Sequence, residues 1–179
     1  NDFLKVDLGD DAVTISGLTS QSIASNVGKV EVKKSGSSKQ SAYISGNVVN
    51  QALGAGSPTK CDKDCDDAAL AVQSLSSNVG NVTIKGESTQ HTSVTGGAVG
   101  NLALGAGAVA IQSLATNIGK VAIDGKSHQA VDLYKTTVTN FANGQDTTAV
   151  QNLASNYDGV KIMKGGHSDQ TVTGNGGTI

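Results

Sequence analysis

The sequence contains no arginine and no tryptophan, and one proline among 179 residues. Without guanidinium forks, and with a formal charge of −2, it lacks the basic face that nucleic-acid binding requires. Aromatics make up 3% of the chain, too little to fill a thick core. No apolar run reaches the ~18–20 residues that a membrane-crossing helix needs, so no membrane span is expected. Low net charge also argues against a chain held open by self-repulsion. Asn1-Asp2-Phe3-Leu4-Lys5 shows no charged-then-apolar leader. That start is expected of an exported chain whose signal peptide is gone, or of one cut back by other means.

What is abundant points to strands. Val and Ile outnumber Leu, Thr is frequent, and Gly supplies 23 residues. Branched side chains fit a pleated surface, and glycine serves tight corners. The composition predicts a thin all-β architecture with many turns.

An internal repeat organises the chain. Gln21-Ser-Ile-Ala-Ser-Asn26, Gln73-Ser-Leu-Ser-Ser-Asn78, Gln112-Ser-Leu-Ala-Thr-Asn117 and Gln151-Asn-Leu-Ala-Ser-Asn156 align without gaps. Each is followed by a short β-rich stretch with alternating apolar residues, as at Val30/Val32, Val82/Ile84 and Val121/Ile123. Asn78, Asn117 and Asn156 are spaced 39 residues apart, while Asn26 to Asn78 spans 52. The excess falls in a polar stretch at 57–67 that reads as an inserted loop. A second glutamine marks each unit: Gln40, Gln90, Gln129 and Gln170. The segments Ser45–Gly54 and Thr95–Gly105 are also related.

These features predict a β-solenoid of stacked strand-turn-strand repeats with a 39-residue period, each unit holding about four short strands. A helix-containing repeat, with Ala108–Leu114 its best helical stretch, and a β-sandwich are the alternatives. The repeat domain is expected over 21–179, with units starting near 21, 73, 112 and 151. Residues 1–20 form a strand segment that acts as a cap or as a donor strand. In a solenoid, equivalent side chains of successive coils lie about 4.8 Å apart. Gln21, Gln73, Gln112 and Gln151, Asn26, Asn78, Asn117 and Asn156, and Gln40, Gln90, Gln129 and Gln170 are therefore expected to form amide ladders. Such columns satisfy buried polar groups that otherwise cost about 1–3 kcal/mol each. Lysines would repel one another in a column, and Lys29, Lys33, Lys85, Lys120 and Lys164 are expected near corners instead.

The Gln-x4-Asn motif in a Gly/Ala/Val/Asn-rich repeat resembles that of the curlin family, the subunits of bacterial functional amyloid. Ala71–Ile84 is the most curlin-like stretch. The second glutamine departs from that pattern, following the asparagine by 12 or 14 residues where curlins space it more closely. In repeat length the chain is closer to the Fap-like bacterial fibre subunits. The resemblance implies a secreted subunit that self-assembles head-to-tail into an extracellular β-rich fibre of a biofilm matrix, sheath or attachment structure. The alternatives are a monomeric β-solenoid adhesin that binds a surface, or a pilin-like subunit that polymerises by donor-strand exchange.

Few residues suit other chemistry. In an exported chain, Cys61 and Cys65 are expected to close a small disulfide loop. Two thiols are half a zinc site, with no histidine near them in sequence. Asp62, Asp64 and Asp66 alternate as calcium-loop donors do, but the glycine and distal glutamate of an EF-hand are missing. The glycines at 54–56 and 105–107 precede no Lys-Ser/Thr and read as corners rather than phosphate loops. Ser127 beside His128 is sequence adjacency, not triad geometry, and His91, His128 and His167 fall near one repeat slot, as tolerated surface residues would. No catalytic residue and no cofactor are expected.

Overall fold

A computed structural model of the chain describes residues 15–54, 68–157, 159–176 and 178–179. The described residues form strands and no helix, and none of their segments is a helix long and apolar enough to cross a membrane. The strands come in sets, five in each of the first three and four in the last. The first coil holds β1 (Ile15–Ile23), β2 (Asn26–Val27), β3 (Val30–Val32), β4 (Ser37–Ile44) and β5 (Val48–Leu53). The second holds β6 (Ala68–Leu75), β7 (Asn78–Val79), β8 (Val82–Ile84), β9 (Glu87–Thr95) and β10 (Ala98–Leu104). The third holds β11 (Val109–Leu114), β12 (Asn117–Ile118), β13 (Val121–Ile123), β14 (Lys126–Tyr134) and β15 (Thr137–Asn143). The fourth holds β16 (Thr148–Leu153), β17 (Asn156–Tyr157), β18 (Lys161–Ile162) and β19 (His167–Asn175). A lone parallel bridge from Thr178 to Thr137 follows.

Strands of equal rank pair in parallel and make five sheets: a (β1-β6-β11-β16), b (β2-β7-β12-β17), c (β3-β8-β13-β18), d (β4-β9-β14-β19) and e (β5-β10-β15). The architecture is a solenoid-like stack of parallel sheets. It differs from the expected four strands per unit because the Asn-led strands of sheet b are two residues long. Such pieces leave no alternation to read. Ala108–Leu114 is the loop residue Ala108 and strand β11 rather than a helix, since every position from Val109 to Leu114 pairs with a strand on either side. β1 runs across the expected boundary at residue 20, pairing with β6 along its length. The stretch at 57–67 lies outside the described residues.

Two of the corners are made by small residues. Between sheets a and b the chain turns through Ala24, Ser76, Ala115 and Ala154, with φ of 50°, 51°, 46° and 35°. Between b and c it turns through Gly28, Gly80 and Gly119, with φ of 112°, 123° and 105°. Here glycine is required twice over. Its φ lies where a Cβ is strained, and a Cβ on Gly80 or Gly119 would sit 2.1 or 2.2 Å from the carbonyl oxygen of Gly28 or Gly80. Of the lysines expected near corners, Lys29 and Lys120 lie between sheets b and c, and Lys33, Lys85 and Lys164 lie beyond the strands of sheet c.

The interior is thin. One apolar cluster joins Leu75 and Leu114 of sheet a to Val94, Val131 and Leu133 of sheet d and Val99 and Val138 of sheet e. A second is built of alanines, among them Ala71, Ala103 and Ala110. A third lies inside sheet c around Val82, Ile84, Val121 and Ile123. Alanine lets sheets a and e approach closely enough for side chains of one to reach the backbone of the other.

Candidate functional site

Inside this narrow cross-section, amide side chains stand in columns. In sheet a, Gln151 Nε2 donates to Gln112 Oε1 at 2.7 Å, Gln112 Nε2 to Gln73 Oε1 at 2.8 Å, and Gln73 Nε2 to Gln21 Oε1 at 2.7 Å. In sheet b the sense reverses. Asn26 Nδ2 donates to Asn78 Oδ1 at 2.9 Å, Asn78 Nδ2 to Asn117 Oδ1 at 2.8 Å, and Asn117 Nδ2 to Asn156 Oδ1 at 2.7 Å. In sheet d, Gln129 Nε2 donates to Gln90 Oε1 at 3.0 Å and Gln90 Nε2 to Gln40 Oε1 at 3.1 Å. Gln170 is in register with Gln129, but its Nε2 donates to Ser168 Oγ at 2.8 Å. The sheet d column therefore stops at Gln129, whose Oε1 is buried without a partner.

Two further sets of residues complete the site. A serine two positions before each sheet d glutamine accepts from both neighbouring columns. Asn78 Nδ2 reaches Ser88 Oγ at 3.3 Å and Gln90 Nε2 reaches it at 2.5 Å. Asn117 and Gln129 converge in the same way on Ser127. Asn26 with Gln40 meets Ser38, and Asn156 with Gln170 meets Ser168. A fourth column stands in sheet e, where Asn50 Nδ2 donates to Asn101 Oδ1 and Asn101 Nδ2 to Asn140 Oδ1, each at 2.9 Å. Their amides also reach across to sheet a, as from Asn101 Nδ2 to Ala71 O at 3.1 Å and Ile111 O at 3.0 Å. The Ser-x-Gln spacing was present in the sequence as a signal for the first set. The second is obscured because Val48 pairs with Val99 while Ile44 pairs with Val94: the second unit has one more residue at that corner.

The middle-coil amides Gln73, Asn78, Gln90, Gln112, Asn117 and Gln129 are fully buried. Pairing removes most of the ~1–3 kcal/mol that each unpaired buried polar group costs. Because a slip of one residue turns every inward amide outward, the columns also fix the register of the coils.

Strand alternation separates Ser127 from His128. The serine faces inward in the ladder, while the imidazole is on the outer face of sheet d. The three histidines do not share a slot: His91 is opposite Ala130, His128 opposite Thr89 and Asp169, and His167 opposite Lys126. His91 Nε2 lies 2.8 Å from Asp132 Oδ2, and His167 Nε2 lies 3.0 Å from Asp169 Oδ1. Among the described residues, no group of three or more His, Cys, Asp or Glu is arranged to hold a metal ion. Cys61 and Cys65, with Asp62, Asp64 and Asp66, lie outside the described residues.

Among the described residues, Gln21 Nε2 and Asn26 Oδ1 have no partner on the first coil, and Gln151 Oε1 has none on the last. A concavity at the first coil is lined by Asn26, Val30, Val32 and Ser38. Its counterpart at the fourth coil is lined by Asn156, Val160, Ile162 and Gln170. Ile162 is 53% exposed, while Ile84 and Ile123 in the same column are 0% exposed. Val172 is 45% exposed and Val131, its partner in register, 0%. Comparison of the chain with protein-family models, curated proteins and solved structures finds no match.

Proposed function

We propose that this chain is a secreted structural subunit that stacks head-to-tail on copies of itself and builds an extracellular β-rich fibre. In this reading the 39-residue unit is one coil, and the coil spacing continues from one molecule to the next. The observation that carries the reading is the polarity of the columns. Sheet a offers an amide N–H at the first coil and an amide oxygen at the last, and sheet b offers an oxygen at the first coil. Gln21 Nε2 of one copy then donates to Gln151 Oε1 of the next, and Asn156 Nδ2 donates to Asn26 Oδ1. A first-coil face placed on another first-coil face would set donor against donor in sheet a. A contact of this heterologous kind propagates as an open filament. It also covers Ile162 and Val172, each worth about 1 kcal/mol for the area now open to water.

The pilin-like alternative needs a strand that the subunit does not use itself. Residues 15–20 of the expected donor segment pair with β6 of their own chain, which favours stacking over donation.

Gly36 gives the test. In the neighbouring coils of the same column, a Cβ on Gly86 or Gly125 would point at the coil before it and meet the Gly36 or Gly86 carbonyl oxygen at 2.1 or 2.0 Å. On Gly36 itself the nearest atom is Lys33 O at 3.3 Å, because no described coil precedes it. Gly36→Ala should therefore melt close to the parent while failing to elongate, as judged by negative-stain microscopy and sedimentation. Parent chains that stay monodisperse at high concentration would end the proposal.

A further inference from the structure

The outer face of sheet e differs from the outer face of sheet d. On sheet d, Lys39, Glu87, Lys126, Asp132 and Asp169 face outward, so that the exposed Tyr43 and Tyr134 stand on a face rich in charge. On sheet e the outward positions of β5, β10 and β15 carry no charged side chain at all. Leu102 stands between Gln51 and Phe141, and Leu104 between Leu53 and Asn143. Val49, Leu53 and Phe141 are 53%, 61% and 45% exposed. Gly100 adds no side chain between Val49 and Thr139, so the centre of the face is flat. Depletion of charge around exposed large apolar side chains is the signature of an interface core.

The size of the patch decides what covers it. Three strands about 4.8 Å apart, each about six residues long at ~3.3 Å per residue, present roughly 300 Å². A stable association between two proteins buries about 800 Å² on each partner. One chain is too small to hold a partner through this face, but stacked chains repeat the patch once per molecule along one side. About three molecules in a row present the area required, and every further molecule adds to it as a multivalent contact.

We infer that two filaments of this chain pair side by side through the outer faces of sheet e, with a second copy's Leu53, Leu102, Leu104 and Phe141 as the occupant. The inference rests on the head-to-tail reading. Pairing follows elongation rather than preceding it, and single chains do not dimerise through this face.

The test is Leu53→Lys combined with Phe141→Lys, both at exposed positions where the folded chain gains little from the apolar side chain. The control is Tyr134→Lys, an exposed position (46%) on the outer face of sheet d in the third coil. Filament width by negative-stain microscopy and pelleting at low centrifugal force are the readouts, with the circular dichroism melt as a check on folding. The parent and Tyr134→Lys should give paired filaments. The double variant should give single filaments of half the width that grow at an unchanged rate and pellet several-fold less. Pairing in the double variant equal to the parent, or single filaments from the parent itself, overturns the lateral contact and leaves stacking intact. A parent that forms no filament overturns the stacking on which it rests.

Discussion

Asn78 Nδ2 donates to Asn117 Oδ1 at 2.8 Å between two side chains that are both fully buried. The same bond is made on either side, to Asn26 and to Asn156, so each interior asparagine donates to one coil and accepts from the other. The second N–H of Asn117 goes to Ser127 Oγ at 3.0 Å. This is a fully used amide among apolar clusters built of Leu, Val, Ile and Ala alone.

Asn117 is therefore the position at which the ladder is tested most directly. Asn117→Ala leaves Asn78 Nδ2 and Ser127 Oγ short of a partner and should lower stability by about 2–4 kcal/mol. Asn117→Asp should cost more at neutral pH, because a carboxylate is then buried against the Asn156 oxygen with no proton to give. Burial raises the carboxyl pKa in the folded state. The Asp variant is thus closest to the parent below the unfolded value of ~3.9, and the deficit grows as pH rises from there. Urea melts at acid and neutral pH read both effects; an Asp variant as stable as the parent at neutral pH would contradict the buried ladder.

The Asn and Gln positions were legible because a buried column imposes identity on residues far apart in sequence: four Gln-x4-Asn copies have no local reason to recur. Their parallel pairing follows from the same fact. The five-strand outline was not legible, since Asn117–Ile118 is too short to show alternation and its Asn reads equally as a turn residue. Ser127 gives no ladder signal of its own, since beside His128 it reads as one polar pair although adjacent residues of a strand face opposite ways. The Asn50, Asn101 and Asn140 column was hidden by one extra residue before Val99.

Two glycines without left-handed φ should respond oppositely to the same substitution. A Cβ on Gly125 would lie 2.0 Å from Gly86 O, whereas one on Gly46 meets nothing within 4 Å. Gly125→Ala must push two coils apart along their hydrogen bonds and should cost about 2 kcal/mol or more. Gly46→Ala should be neutral or stabilise by about 0.4–1 kcal/mol, through the unfolded chain. Thermal melts of the two variants side by side decide whether coil spacing, rather than glycine flexibility, accounts for the stacked glycines.

Leu114 and Ile162 separate folding from assembly. Leu114 is fully buried in the largest apolar cluster, and Leu114→Ala should destabilise the monomer by about 2–5 kcal/mol. Ile162 is half exposed on the last coil, and Ile162→Ala should cost the monomer less than about 1 kcal/mol. In a stacked filament Ile162 becomes an interior residue, so its replacement should raise the critical concentration for assembly several-fold. Sedimentation of assembled material against total concentration measures that value. If Ile162→Ala assembles at the parent's concentration, the last coil is not the contacting face.

Ala115 poses the remaining question, which is why the first corner of every coil uses alanine or serine where glycine would relieve strain. Its φ is 46°, a conformation that costs a residue with a Cβ about 1–2 kcal/mol. Its N–H donates to Leu75 O at 2.8 Å, and its methyl is fully buried in the cluster with Leu75 and Leu114. Removing a buried methyl costs about 1 kcal/mol, and glycine loses a further ~0.5–1 kcal/mol through the freedom of the unfolded chain. These losses roughly match the strain, so Ala115→Gly should be within about 1 kcal/mol of the parent. Ala115→Val keeps the strain and adds a branch at positive φ, where branched residues are outliers, and should cost more than about 2 kcal/mol. Denaturant midpoints for the pair give the answer: a Gly variant well above the parent would mean that the buried methyl adds nothing to the core.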